Sequence, residues 1–417
     1  MSGVLGEILR AGAAAVPASH ARTALALQRC GTGELGYTVH ACTDCRESET
    51  VPRSCGNRHC PRCQGRLARA WLERQQTALL ATPYFHVVFT LPHALLPLCV
   101  AAPRELYALL FEAAAQTLLQ LGRERLGGTL GVTAVLHTWG QRLTLHPHVH
   151  AIVTGGALDA QDRWHGVKSP RYLFPAGVIG ALFRGKFLAG LTTLKEKDAV
   201  PPPTGGWPKL WQALGEAKHW VVYAKPPFAG PESVLAYLAN YTHRVAISER
   251  RIEAFDKKAR TVTYRWRDYR VKSPAPAGAE HGAPAASCAT APGAEPTRDG
   301  ENARADPAMK RETLPVDVFV KRFCQHLLPR SFTKIRHYGL LANHARHREI
   351  PRARAAIARL PRRTKPPPPK PPDPWQPKCA KCGGTRLVCI AVVRPDGRTH
   401  VQPALARLAP PICRVPP

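Results

Sequence analysis

Acidic residues are scarce in this chain. Asp and Glu number 29 against 59 Lys and Arg over 417 residues, a formal net charge of +30, with an isoelectric point near 10.2. That balance points away from cationic partners and towards a polyanion, most simply nucleic acid, held by a salt-sensitive attraction. Abundant Ala, Arg, Pro and Gly also fit a GC-rich coding sequence. Long apolar runs are scarce too: no stretch reads as able to cross a bilayer. The opening MSGVLGEILRAGAAAVPASH carries an acidic residue and lacks the apolar core of a secretory signal. The 13 cysteines are unevenly placed, which argues against a disulfide framework and for metal binding in a reducing compartment. The expected location is therefore the bacterial cytoplasm, on the nucleoid when DNA is bound. A hydrophobic content of 44 % and this length allow two or three folded domains.

What is present begins with the cysteines. Cys42-Thr-Asp-Cys45 and Cys60-Pro-Arg-Cys63 are two knuckles at ribbon spacing. The first follows a strand expected over Tyr37–Ala41, and the second opens a helix expected over Gln64–Leu80. Four thiolates close a tetrahedral structural Zn2+ site, so Cys42, Cys45, Cys60 and Cys63 are expected to share one ion. Cys30, His40, Cys55 and His59 can supply a second ion, or can be packing or DNA-facing residues. Arg53, Arg58, Arg62, Arg66 and Arg69 surround the knuckles and suit phosphate. Cys379-Ala-Lys-Cys382 is a weaker knuckle, with only Cys389 and Cys413 nearby in sequence to complete it.

The richest stretch is His137 to Gly156, HTWGQRLTLHPHVHAIVTGG. On a strand, His148 and His150 share a face about 7 Å apart, while Val149 points into the core. Read as a hairpin, Val132–Thr138 folds back on Leu145–Val153 and sets His137 beside His148. Three neutral imidazoles then face one divalent cation, with positions open to a substrate oxygen. His146 lies about 13 Å from His150 along the strand and suits a supporting or DNA-contacting role. His86, in the strand expected over Tyr84–Thr90, is the alternative third ligand. Gly155-Gly156 is expected to end the strand.

The second informative stretch is Ser233 to Ser248, SVLAYLANYTHRVAIS. Tyr237 and Tyr241 are four apart, one turn from each other on a helix. Alone, they read as amphipathic packing. Beside a histidine metal site in a basic protein, they suggest phosphoryl transfer to a phenol, with Arg244 close by to meet DNA. The chain divides into an N-terminal zinc-binding part (1–80), a catalytic core (81–272), a low-complexity Ala/Pro/Gly insert expected to be disordered (273–308), a basic helical part (309–363), and a Pro/Lys spacer with a tail (364–417).

These pieces resemble a known family. His148-Val149-His150 matches the HUH motif of rolling-circle nucleases. The chain is similar, more closely, to the two-tyrosine rolling-circle transposases of the insertion sequence ninety-one family. The matching pieces are SCGNRHCPRCQ, FHVVFTLP, HTWGQ, HPHVH, YLANYTHRVAIS and IRHYGLLAN, in family order. The resemblance implies an α+β fold, with an HUH nuclease core of antiparallel sheet flanked by helices and an N-terminal zinc-ribbon-like module. It implies Mg2+ or Mn2+ at the histidines and Tyr237 and Tyr241 as nucleophiles. The implied partners are single-stranded DNA and element-end DNA, with neither a membrane nor a small-molecule substrate, and an oligomeric state left open. A rolling-circle replication initiator or relaxase, and a DNA binder without catalysis, are the competing readings. The insert at 273–308 and the tail after Cys382 depart from the family pattern.

Overall fold

The computed structural model describes residues 3–76, 78–167, 172–217, 220–225, 234, 242–271, 306, 308–360 and 378–402. Its strands, in chain order, are β1 (Tyr37–Cys42), β2 (Ser48–Pro52), β3 (Tyr84–Thr90), β4 (Thr129–Trp139), β5 (Leu145–Leu158), β6 (Trp164–Gly166), β7 (Val222–Lys225), β8 (Ile252–Asp256), β9 (Thr261–Arg267), β10 (Met309–Pro315), β11 (Ile335–Gly339), β12 (Leu387–Val393) and β13 (Thr399–Val401). The fold is α+β, with antiparallel sheets and helices.

The central sheet runs β11–β4–β5–β3–β7, with β6 on the far end of β5. Alternation along the strands separates its two faces. Val87, Phe89, Val132, Ala134, Leu136, Val149, Ala151 and Val153 point one way, into the main core. The helices Pro103–Leu126 and Ala176–Glu196 cover that face. The latter corrects one expectation, because its length and apolar content do reach those of a bilayer span. Its Ile179, Phe183, Phe187 and Leu191 are buried, about one per turn, and Phe183 meets Phe89 and Trp220. That spacing is the stripe of a core helix.

Gly155 and Gly156 do not end β5, which continues to Leu158 and pairs there with β6. They permit close approach instead. A Cβ at Gly155 would lie 2.8 Å from the Pro83 carbonyl oxygen, and one at Gly156 would lie 2.5 Å from Trp164 Nε1.

The second sheet, β10–β9–β8, is split by the low-complexity insert. Met309 pairs with Arg267, so the insert joins two adjacent strand ends, and lengthening such a connection costs little. Residues 273–308, apart from 306 and 308, lie outside the described residues. The boundary expected at 309 therefore separates no bodies: β10 completes a sheet begun before the insert, and β11 pairs with β4 at the edge of the central sheet. The boundary at 80 is equally porous. Leu5, Ile8 and Leu9 of the helix Val4–Ala11 share a core with Tyr264 and with Val316, Phe319, Val320 and Phe323 of the helix Val316–Cys324.

The third sheet, β13–β12–β1–β2, draws from both ends of the chain. β12 pairs with β1 from Tyr37↔Val393 to Cys42↔Leu387, and Val39, Ala41, Ile390 and Ala391 bury its small core. Residues 378–402 thus belong to the N-terminal module rather than to a separate tail. Residues 361–377, with the Pro/Lys spacer, are outside the described residues.

One carboxylate docks the second sheet on the β4–β5 turn. Glu312 accepts from Arg142 (2.9 and 3.0 Å), Arg322 (3.1 Å) and Tyr264 Oη (2.8 Å). Hydrogen bonding from Arg142, foremost, lowers its carboxyl from 4.5 to about 2. A carboxyl depressed on folding stabilises fully above its unfolded value and loses that contribution as pH falls through its folded value. Glu312→Gln should cost about 1.5–3 kcal/mol at neutral pH. Thermal melts should show the gap between variant and parent closing as pH falls from about 4.5 to about 2. A gap that persists unchanged at the acid end would show that the charge is not what docks the sheet.

Candidate metal and nucleic-acid site

Register builds the site. In the β4–β5 pairing His137 faces His148 and Val135 faces His150. On the other side Val88 faces His150 and His86 faces Ile152. Directly opposed residues share a face, so four histidines gather on the sheet face opposite the main core. One nitrogen from each of His137, His148 and His150 lies within 4.8 Å of the others. The hairpin expected from the sequence is the one observed, and it brings these three together.

Their hydrogen bonds orient them. His148 Nδ1 donates to the His146 carbonyl oxygen at 2.6 Å, which leaves its Nε2 unprotonated and able to ligate. His86 Nε2 lies 2.9 Å from His150 Nδ1, with the rings stacked at 5.1 Å. In the tautomer where Nδ1 of His150 donates to His86, Nε2 of His150 is left free to ligate. A partner on the far nitrogen of a ligating histidine sets its tautomer and ring orientation. His86 thus lies against His150 and outside the group of three, while the backbone carbonyl of His146 orients His148. Desolvation lowers His148 to about 4 and His150 well below the ordinary imidazole value. Neutral imidazoles are the form that binds a metal.

The histidines open into a cavity of about 580 Å³ lined by Arg142, Arg244, Arg251, Arg267 and Arg270, together with Trp139, Trp266 and Tyr269. Among the described residues its one carboxylate, Asp268, is held by Arg270 (2.9 Å) and Lys310 (2.8 Å). Guanidinium groups suit phosphates, and exposed ring faces suit stacking. Sequence reasoning found Arg244 and missed the other four arginines and the aromatic residues. They come from the end of β4 and the turn after it, from Arg251 just before β8, and from the end of β9 and the residues that follow it, and no linear signal connects those segments.

Lys334 fastens Arg244 in place. Its Nζ donates to the Arg244 carbonyl oxygen at 2.6 Å and sits 5.2 Å from the Trp139 ring. Burial, foremost, lowers Lys334 to about 7. Tyr237 and Tyr241 themselves lie outside the described residues, between Val234 and Thr242.

The cysteines regroup. Cys60 and Cys63 join Cys30 and Cys55, while Cys42 and Cys45 join Cys379 and Cys382. The expected set of Cys42, Cys45, Cys60 and Cys63 is corrected accordingly. The β1–β2 hairpin carries Cys42 and Cys45 at its tip, whereas Cys30 and Cys55 flank its base. Six residues of strand hold tip and base about 20 Å apart. In the basal group Sγ atoms approach to 3.5–3.7 Å, and the Cys55 and Asn57 N–H groups donate to Cys30 and Cys55 sulfurs at 3.4 Å.

His59 is not among these ligands. Its Nε2 accepts from the Leu328 N–H at 3.2 Å. Arg58, expected at phosphate, instead donates to the carbonyl oxygens of Leu328 (3.3 Å), Pro329 (2.8 Å) and Phe332. Arg62 donates to the Cys30 carbonyl oxygen at 3.1 Å. His59 and Arg58 together lock the cysteine knuckle onto the loop after the helix Val316–Cys324.

Comparison with known proteins gives concordant matches. Residues 131–349 match a family profile described as "Putative transposase", and residues 5–91 match a "Transposase zinc-binding domain". The chain is 37 % identical over 368 residues to "Putative transposase y4qJ" of Sinorhizobium fredii (strain NBRC 101917 / NGR234), covering 84 % of this chain and 81 % of the relative. It is 27 % identical over 342 residues to "Transposase for insertion sequence element IS801" of Pseudomonas savastanoi pv. phaseolicola, covering 79 % and 72 %. No solved structure matches.

Replacing the acceptor behind His150 tests the orientation argument. His86→Phe keeps a ring of similar volume and removes the hydrogen bond. Calorimetric titration with Mn2+ should give affinity about 10–100-fold weaker than the parent. Equal affinity would mean that His86 is only a packing neighbour.

Proposed function

Because the chain belongs to the two-tyrosine rolling-circle transposase family of insertion sequence ninety-one, we propose that it nicks and transfers single-stranded DNA at element ends through 5′-phosphotyrosine bonds on Tyr237 and Tyr241. One observation carries this reading: the residues on either side of the two tyrosines lie on the histidine face. Val234 is buried with Ile152 and Tyr84, and Ile152 is two residues along β5 from His150. Arg244 lines the histidine cavity. Tyr237 follows Val234 by three residues and Tyr241 precedes Arg244 by three. Three residues span at most about 11 Å, so covalent reach supports delivery of either phenol to the cavity.

His137, His148 and His150 would hold a divalent ion, which would supply polarisation of the scissile phosphate and stabilisation of its developing charge. Three nitrogen donors suit Mn2+ better than the oxygen-seeking Mg2+. The arginine ring holds the flanking phosphates, and Trp139 and Trp266 offer faces on which unpaired bases stack, which favours single-stranded substrate. In the reaction a tyrosine Oη forms the new bond to phosphorus as the P–O3′ bond breaks. The phenolic proton ends on the departing 3′ oxygen. The product keeps one phosphodiester-like bond in place of another, so a 3′-OH can reverse the step without ATP. Two tyrosines let one strand end stay attached while another is cut. Cys30, Cys55, Cys60 and Cys63 hold a structural Zn2+, for which a tetrathiolate is a natural donor set. The site of action is the bacterial cytoplasm.

Element-end oligonucleotides incubated with the protein and Mn2+ should give an adduct that survives denaturant. Tyr237→Phe and Tyr241→Phe should each reduce it, and the double variant should abolish it. Adduct at the parent level in the double variant would move the nucleophile elsewhere, with cavity-lining Tyr269 the next candidate. A salt-sensitive gel shift with no adduct in the parent would favour a DNA binder without catalysis. Half-maximal adduct should require roughly tenfold less Mn2+ than Mg2+, given the all-nitrogen donor set.

A further inference from the structure

The cysteine group at the tip of the β1–β2 hairpin is assembled from opposite ends of the chain. Cys42 Sγ lies 3.6 Å from Cys382 Sγ, and Cys45 Sγ lies 3.7 Å from Cys379 Sγ. All four sulfurs fall within 4.8 Å of one another. Four thiolates around one zinc at the usual bond length sit about 3.8 Å apart.

The two contributing turns are congruent. The Cys42 N–H donates to the Glu47 carbonyl oxygen and the Cys379 N–H to that of Gly384, both at 2.8 Å. The Arg46 N–H donates to the Cys42 carbonyl oxygen and the Gly383 N–H to that of Cys379, both at 2.9 Å. The residue after the second cysteine is left-handed in each, Arg46 at φ 62 and Gly383 at φ 72. The Gly384 N–H donates to Cys382 Sγ at 3.4 Å. Two Cys-x-x-Cys turns of the same geometry, facing each other sulfur to sulfur, are the halves of a closed tetrahedral site rather than a chance meeting of thiols.

We propose that Cys42, Cys45, Cys379 and Cys382 form a second tetrathiolate zinc site that clasps the C-terminal strands β12 and β13 onto the N-terminal hairpin. Neither family match includes Cys379 or Cys382, so the site lies beyond the zinc-binding domain those matches assign. It does not depend on the strand-transfer reading. The clasp has work to do, because the fully buried apolar contact between β1 and β12 amounts to Val39, Ala41, Ile390 and Ala391. Polar contacts cross the same junction: Lys381 pairs with Glu47 at 2.7 Å, Arg386 pairs with Asp44, and the Thr43 N–H donates to the Arg386 carbonyl oxygen at 3.0 Å. These lie at the surface, where ion pairs contribute little.

The test uses the full chain. Zinc content should be two equivalents in thiolate sites, and Cys379→Ser/Cys382→Ser should lose one. After exchange into Co2+, the near-ultraviolet sulfur-to-cobalt charge-transfer band should fall to about half in that variant. The histidine site has no sulfur and adds nothing to the band. A variant with undiminished band and zinc content would overturn the proposal, as would disulfides in place of free thiols on denaturing thiol titration of the parent. A second measurement avoids the variant altogether. Hydrogen exchange across 387–401 in the parent should accelerate when zinc is chelated while β4 and β5 stay protected. Unchanged protection of 387–401 after chelation would equally overturn it.

Discussion

The β4–β5 register is the constraint on which the site depends. His137 reaches His148 and His150 only because Leu136 pairs with Val149 and Ala134 with Ala151 on the opposite face. Those residues and their neighbours Val132 and Val153 are at most 2 % exposed. A slip of one residue would turn the histidines into an apolar core and its valines to the cavity. Each large apolar side chain returned to water would cost about 1.5–3 kcal/mol. The histidine face thus inherits its precision from the packing behind it.

Electrostatics adds a second layer. Desolvation keeps His148 and His150 neutral, so the imidazoles add no positive charge to a cavity already ringed by arginines. The only carboxylate there among the described residues is paired. Three of the five arginines are ion-paired, Arg142 with Glu312, Arg267 with Asp306 and Arg270 with Asp268, and the balance around the cavity stays basic, which suits phosphates. Lys334 ties Arg244, just after the two tyrosines in sequence, to the wall, by a contact far away in the chain.

The N-terminal module shows how non-local pairing governs structure. Helix Val4–Ala11, the Cys30–Cys63 knuckle, the second sheet and the helix Val316–Cys324 share one core. Arg58 and His59 read from sequence as a phosphate contact and a spare metal ligand. They are instead consumed by the carbonyl and amide groups of residues 328–332. A guanidinium surrounded by three carbonyl oxygens is a structural strut, and only the fold shows which arginines have that fate.

Local pattern was sufficient wherever the determining contacts are near in sequence. The H-x10-H-x-H spacing, with a polar turn between two β-rich runs, determined the hairpin and therefore the histidine triad. The same holds for β3, observed over Tyr84–Thr90 as expected. Charge alone pointed to a polyanionic partner. Tertiary structure alone decided which cysteines meet, because Cys42 and Cys45 are equally well spaced for partners at 60 and 63 or at 379 and 382. The choice is made by β12 pairing with β1. It alone also decided which arginines face the histidines and that β11 closes the sheet edge, since pairing across hundreds of residues is set by shared burial, which leaves no mark in local spacing.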